Sequence, residues 1–173
     1  MSLKRSPLLN KQHSMQKKFS KDLPALIGFI ALSEAAGIVG SFFTAPSIAG
    51  WYATLTKPDI APPNWIFAPV WTTLFLLMGI AAFLVWRTRK NTRTALGLFG
   101  LQLALNVLWS LLFFGLQNPG AALAEITLLW LSIAATMVAF AKFSKPAAWL
   151  LVPYIAWVSF AGYLNFLLWS LNS

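Results

Sequence analysis

The sequence predicts an all-α membrane protein: five transmembrane helices in a bundle, with a long external loop capping a pocket. Three observations carry this. The chain is 58% apolar and only 10% charged, where a soluble domain is about half apolar and about a quarter charged. Its apolar residues fall into five runs, each near the ~20 residues that cross a bilayer as a helix. Between the first two runs lies a segment too long, too aromatic and too rich in proline for a simple connector.

The runs cover residues 24–44, 69–86, 95–116, 121–140 and 147–171. Pro69 suits a first helical turn, where its missing N–H costs little. Asn118-Pro119-Gly120 reads as a tight turn joining the third and fourth runs. Pro153 lies inside the fifth and is expected to kink it there. Residues 1–23 read as a basic, disordered cytoplasmic tail, and residues 24–173 as one five-span domain. Ser47-Ile48-Ala49 offers small residues at cleavage-like positions. The preceding apolar run is longer than the usual 7–15 residues of a signal peptide, which argues against cleavage.

Charge placement sets the expected orientation. Twelve of the 13 Lys and Arg fall in the first 23 residues, between runs two and three, or between runs four and five. Only Lys57 falls elsewhere. With five spans those twelve share one side, which by the positive-inside rule is the cytoplasm; the C-terminus is then outside. The net charge of +9 therefore reads as topology and lipid headgroup contact, and nucleic acid is not an expected partner. The expected location is a bacterial cytoplasmic membrane. Cysteine is absent, which excludes disulfides, thiolate metal sites and cysteine nucleophiles. The one histidine is His13, in the polar tail, so no metal site is expected.

The segment between runs one and two reads "WYATLTKPDIAPPNWIFAPVW", residues 51–71. Pro58, Pro62, Pro63 and Pro69 stiffen it, so it loses less entropy on ordering than a flexible loop. Trp51, Tyr52, Trp65 and Phe67 give it apolar surface to bury. An interfacial aromatic belt needs aromatics at helix ends but no proline-stiffened loop between them, so the segment is expected to be a lid. Beneath it, helical phase aligns Trp71, Phe75 and Met78; then Gln102, Asn106, Trp109 and Phe113; then Trp157, Ala161, Leu164 and Leu168. Gln102 and Asn165 are expected to hydrogen-bond between helices. Asn106 and Trp109 fit either that role or pocket lining. Glu34 and Glu125 sit within spans and have no intramembrane cation to pair with. Ser33, Gly37 and Ser41, and Gly97, Gly100 and Ala104, form small-residue faces suited to close helix approach, internal or between two copies.

The pieces "WYATLTKPDIAPP", "PVWTTLFLLMG", "LQLALNVLWSLLFFG" and "AAWLLVPYIAWVSFAGYLNFLLW" together resemble the translocator protein family, also called the tryptophan-rich sensory protein or TspO/MBR family. The resemblance covers about residues 37–172. It implies five transmembrane helices around a pocket capped by the first external loop, commonly in a homodimer. It implies binding of a porphyrin-type small molecule, protoporphyrin IX or haem, as ligand, with no cofactor required. It also implies a sensory or regulatory role in porphyrin metabolism and stress. The alternatives are light-dependent porphyrin degradation, with Trp71 and Trp157 exchanging electrons with the excited ring, or transport of porphyrin or sterol. Carried over by motif, the ligand-binding positions are Tyr52, Pro62, Phe67, Ala68, Trp71, Phe75, Asn106, Trp109, Phe114, Leu128, Trp157, Ala161 and Leu164. Three departures stand out. Phe75 replaces a common Tyr. Ala121 replaces a Trp of animal members, which implies a roomier pocket. The sterol motif of animal members is broken, with Phe166 and Ser170 in place of Tyr and a basic residue.

Overall fold

Five helical stretches long and apolar enough to cross a bilayer pack into one bundle among the described residues: Asp22–Ala49, Asn64–Trp86, Arg93–Gly115, Pro119–Ala141 and Lys145–Asn172. The structure is a computed structural model that describes the backbone of residues 7–173 and the side chains of residues 22–173. Of the tail expected to be disordered, residues 1–6 lie outside the described residues, and the backbone of residues 7–23 is helical.

Helix α1 (Pro7–Ala49) contains the first span. After a short helix α2 (Trp51–Thr54) the chain runs to a single 3₁₀ turn (Asn64–Ile66) and enters α3 (Phe67–Trp86). Helix α4 (Arg93–Ser110) passes directly into one π-helical turn (Leu111–Gly115), closed by the Leu116 N–H donating to the Leu111 carbonyl at 2.7 Å. Such turns widen a helix locally and recur at functional sites. Helix α5 is Pro119–Ala141, and α6 (Lys145–Leu150) and α7 (Val152–Asn172) make up the fifth span.

Two expectations about proline need correction. Pro119 and Gly120 form no turn; they start α5. Asn118 caps that helix, its Oδ1 accepting from the Ala121 N–H at 3.0 Å, and Pro119 occupies the first turn, where no N–H is needed. The reversal lies just before, at Gln117, whose φ is 53°. The fifth span breaks at Leu151, two residues before Pro153, which sits in the first turn of α7. Because Pro153 cannot donate to the turn below it, the chain ends one helix and begins another.

The core joins α3, α4, α5, α6 and α7 through Met78, Phe99, Leu129, Ile133, Phe140, Ala147, Tyr154 and Val158, all buried. Helix α1 packs on α3 and α4 from one side. Its approach to α3 depends on Gly79, where an added Cβ would lie 2.6 Å from the Ile30 Cα. At the end of the bundle carrying Asp22, that buried carboxylate accepts from Arg89 at 2.6 Å and forms an ion pair with Arg87 at 3.2 Å. Arg89 adopts φ 58° and lays its guanidinium over Trp86 at 4.2 Å. The start of the first span is thereby fixed to the connection between α3 and α4. At the opposite end, Asn172 holds the loop: its Oδ1 accepts from the Thr56 N–H at 2.9 Å and its Nδ2 donates to the Thr56 carbonyl at 3.0 Å.

Candidate ligand cavity under the loop

A cavity of about 400 Å³ lies beneath the loop, walled by α1, α3, the α4–π segment and α7. That size falls in the range of about 300–1,000 Å³ typical of small-molecule sites. The loop supplies Tyr52 and Asn64, and the first turn of α3 supplies Phe67 and Ala68. Tyr52 is only 4% exposed. Its ring lies 5.7 Å from that of Phe114 and 6.4 Å from that of Phe113, and Lys57 Nζ stands over it at 4.9 Å. Desolvation pushes the Tyr52 phenol above its ordinary pKa. The π turn brings Phe113 and Phe114, adjacent in sequence, onto the same wall, with centroids 4.8 Å apart.

Lower down, Trp71 stacks on Phe75 at 5.7 Å and meets Tyr154 edge-on at 6.3 Å. Tyr154 is fully buried and accepts from Asn106 Nδ2 at 3.1 Å. These contacts form a floor. The opposite wall is set by Trp109, whose Nε1 donates to Asn165 Oδ1 at 3.1 Å. Asn165 Nδ2 in turn donates to the Pro119 carbonyl at 2.8 Å. Trp109 and Asn165 therefore both line the cavity and tie helices together. Gln102 has only a helix-to-helix role, donating to Met78 Sδ at 3.5 Å.

The hydroxyls of Ser41, Thr44 and Ser110 bond backbone carbonyls of their own helices. The cavity is thus an aromatic chamber with a few fixed polar points, the pattern of a site that binds a flat apolar ligand and orients it by a small number of contacts. Among the described residues no cluster of His, Cys, Asp and Glu is arranged to hold a metal.

Ten of the thirteen positions named from sequence line this cavity: Tyr52, Phe67, Ala68, Trp71, Phe75, Asn106, Trp109, Phe114, Ala161 and Leu164. Three stand elsewhere. Leu128 is 58% exposed, because α5 turns Glu125, Ile126 and Leu129 inward and lies behind α4 and α7. Pro62 is half-buried in the loop, away from the lining. Trp157 stands behind Phe67, whose ring meets it edge-on at 6.0 Å, and lines a separate groove between α3 and α7. Ala121 does not line the cavity either, so its small size adds no room there. Trp65, expected to bury surface in the lid, is 73% exposed.

Sequence reasoning missed one whole wall. Helix α1 contributes Glu34, Gly37, Gly40, Ser41, Thr44 and Ile48. The stripe of small residues read as a helix-packing face also admits aromatic rings: a Cβ on Gly37 would lie 2.5 Å from Phe75 Cε2. Glu34 faces the chamber. Glu125 is buried on α5, and neither of its carboxylate oxygens has a hydrogen-bond partner among the described residues.

The sequence model of the TspO/MBR family matches residues 29–170. The chain belongs to the TspO/MBR family. A tryptophan-rich protein TspO from Chlorobaculum tepidum is 49% identical over 156 residues, covering 88% of this chain and 99% of that protein. The translocator protein of Bos taurus is 42% identical over 150 residues, 84% of this chain and 89% of its own. A tryptophan-rich sensory protein from Cereibacter sphaeroides is 37% identical over 151 residues, 87% of this chain and 93% of its own. The TspO/MBR match spans every element that walls the cavity, from the middle of α1 to the last turn of α7.

Proposed function

We propose that this TspO/MBR protein binds a tetrapyrrole, protoporphyrin IX or haem, in the cavity under the loop and serves as a membrane sensor or regulator of porphyrin metabolism and stress. The observation that carries the reading is the chamber's make-up. Trp71, Phe75, Trp109, Phe113 and Phe114 present aromatic faces and edges around one space with few exposed polar groups. A large flat ring gains from stacking on such walls. The propionates belong at the loop end, where Asn64 lines the chamber and Lys57 lies over Tyr52. The opposite end, at Glu34, is ~21 Å lower along α1 by helical rise, at bilayer depth. No histidine is available there as an axial ligand for haem iron.

The rest of the reading follows from topology. The protein sits in a bacterial cytoplasmic membrane, N-terminus inside and C-terminus outside. The end carrying Asp22, Arg87 and Arg89 faces the cytoplasm, and the end strapped by Asn172 faces out. It forms a homodimer. Gly97, Gly100 and Ala104 are exposed on α4, and a Cβ at either glycine would meet nothing within 4 Å, which leaves room for a second helix.

The test is a titration of purified protein with protoporphyrin IX in the dark, then illumination. Trp71→Leu removes one stacking face and is expected to weaken binding by about tenfold, or ~1.4 kcal/mol. Equal affinity in the folded variant rules out this chamber. A new absorbing product that needs both light and wild-type protein would instead favour the degradation reading, with Trp71 as the tryptophan in contact with the ring.

A further inference from the structure

We propose that α6, with Lys142 just ahead of it, binds the headgroup of an anionic phospholipid. Length places this helix. The fifth span, Lys145–Asn172, has 28 residues, ~42 Å of helix, against a hydrocarbon core ~30 Å thick. Helix α7 alone has 21 residues and covers ~31 Å. The six residues of α6 are therefore surplus to the crossing and fall in the headgroup layer. Because the spans alternate in direction, they fall at the end that carries Asp22 and the connection between α3 and α4. The helix is fixed there. Ser144 Oγ caps it by accepting from the Ala147 N–H at 3.3 Å. Ala147 is buried, and α6 packs on both α3 and α5.

Helical phase sets Lys145 and Trp149, four residues apart, on the side away from Ala147. Both are exposed, Trp149 at 73%. In water that ring would leave a large apolar surface uncovered. In the headgroup layer it lies against acyl carbons while its N–H reaches a phosphate or ester oxygen. Lys142, also exposed, lies in the turn that leads into α6. Charge then selects the lipid. Among the described residues this end carries Arg87, Arg89, Lys90, Arg93, Lys142 and Lys145. Its one carboxylate is Asp22, which Arg87 and Arg89 already hold. Lys142 and Lys145 have no ion-pair partner among the described residues, and a headgroup of net negative charge supplies one. A soluble polyanion would pair the lysines but leave Trp149 uncovered. A zwitterionic lipid would cover Trp149 but set its own cation against the lysines.

The test is native mass spectrometry of the full chain in detergent, titrated with phosphatidylglycerol and, separately, with phosphatidylcholine. Wild type should bind phosphatidylglycerol about tenfold or more tightly than phosphatidylcholine. Each lysine contributes about fivefold to that preference, so Lys142→Gln combined with Lys145→Gln should weaken phosphatidylglycerol by about tenfold or more and leave phosphatidylcholine unmoved. Trp149→Leu keeps the charge and should weaken both lipids by about threefold, with Trp149→Tyr restoring most of the loss. Lys57→Gln, at the opposite end of the bundle, is the control and should change neither. All four substituted side chains are exposed, and an unchanged melting temperature confirms that each variant is folded. Equal binding of the two lipids by wild type overturns the proposal, as does an undiminished preference in the folded double-lysine variant. Displacement of phosphatidylglycerol by inorganic phosphate at matched concentration also overturns it, making the lysines a site for a free anion. Displacement by soluble polyglutamate alone overturns it in favour of an acidic protein.

Discussion

Removing the Asn172 side chain should loosen the loop without unfolding the bundle. Asn172 makes two hydrogen bonds to the peptide of Thr56, at 2.9 and 3.0 Å, across 116 residues of sequence. Each such bond contributes about 0.5–1.5 kcal/mol net. Both are exposed to solvent, where water competes well, so the pair together is worth about 1–2 kcal/mol. That corresponds to a factor of about 5–30 in the ratio of closed to open loop. Amide hydrogen exchange reads this ratio at the Thr56 N–H, which loses its acceptor in Asn172→Ala. Exchange there should accelerate by about 5–30-fold, while amides in the middle of α3 and α5 keep their protection. Asn172→Asp retains an acceptor for the Thr56 N–H but sets a carboxylate against the Thr56 carbonyl, and should fall between the two. Ser170→Ala is the control, because the Ser170 hydroxyl bonds only the Leu167 carbonyl of its own helix. If Thr56 exchanges at the wild-type rate in folded Asn172→Ala, the strap does not hold the loop.

Three further outcomes are expected. Gly79→Ala places a Cβ 2.6 Å from the Ile30 Cα and 2.9 Å from the Phe29 carbonyl oxygen. Backbone cannot yield there, so α1 must lift from α3 at a cost of about 1–3 kcal/mol, visible as a lower melting temperature in detergent; Gly28→Ala, with open space, should not lower it. In Gly37→Ala the clash is with the Phe75 ring edge, which can rotate, so the protein should fold with near-normal stability yet bind protoporphyrin IX more weakly; Phe75→Leu in the same chain should restore part of the affinity. Asp22→Asn removes the charge from one hydrogen-bonded ion pair, with Arg89, and from a second ion pair, with Arg87; with Arg87 and Arg89 partly exposed, the expected loss is about 1–2 kcal/mol, and the stability gap from wild type should narrow in high salt.

The spans were legible because the bilayer imposes a simple rule. Every buried backbone group must be satisfied within a helix about 20 residues long, and the five apolar runs state that length directly. Boundaries were less legible. Nothing local in "LLFFG" announces a π turn, which arises from how the end of α4 meets α1 and α5. The position of Pro153 told of a break, but Leu151 carries it, because proline disturbs the turn that precedes it.

The sequence by itself determined the helices, their alternation, and the faces of α3, α4 and α7 that carry Trp71, Asn106 and Trp109, since a 3.6-residue period fixes which side chains share a side. Only the tertiary structure decided which sides meet. It brought α1, with Gly37 and Glu34, into the cavity wall and left α5, with Leu128, outside it. It placed Phe67 between Trp157 and the chamber, and it tied Thr56 to Asn172 across nearly the whole fold. Helical phase is a property of one segment and can be read along the chain. The rotation of each helix about its own axis depends on the packing of several at once, and no single segment of the sequence encodes it.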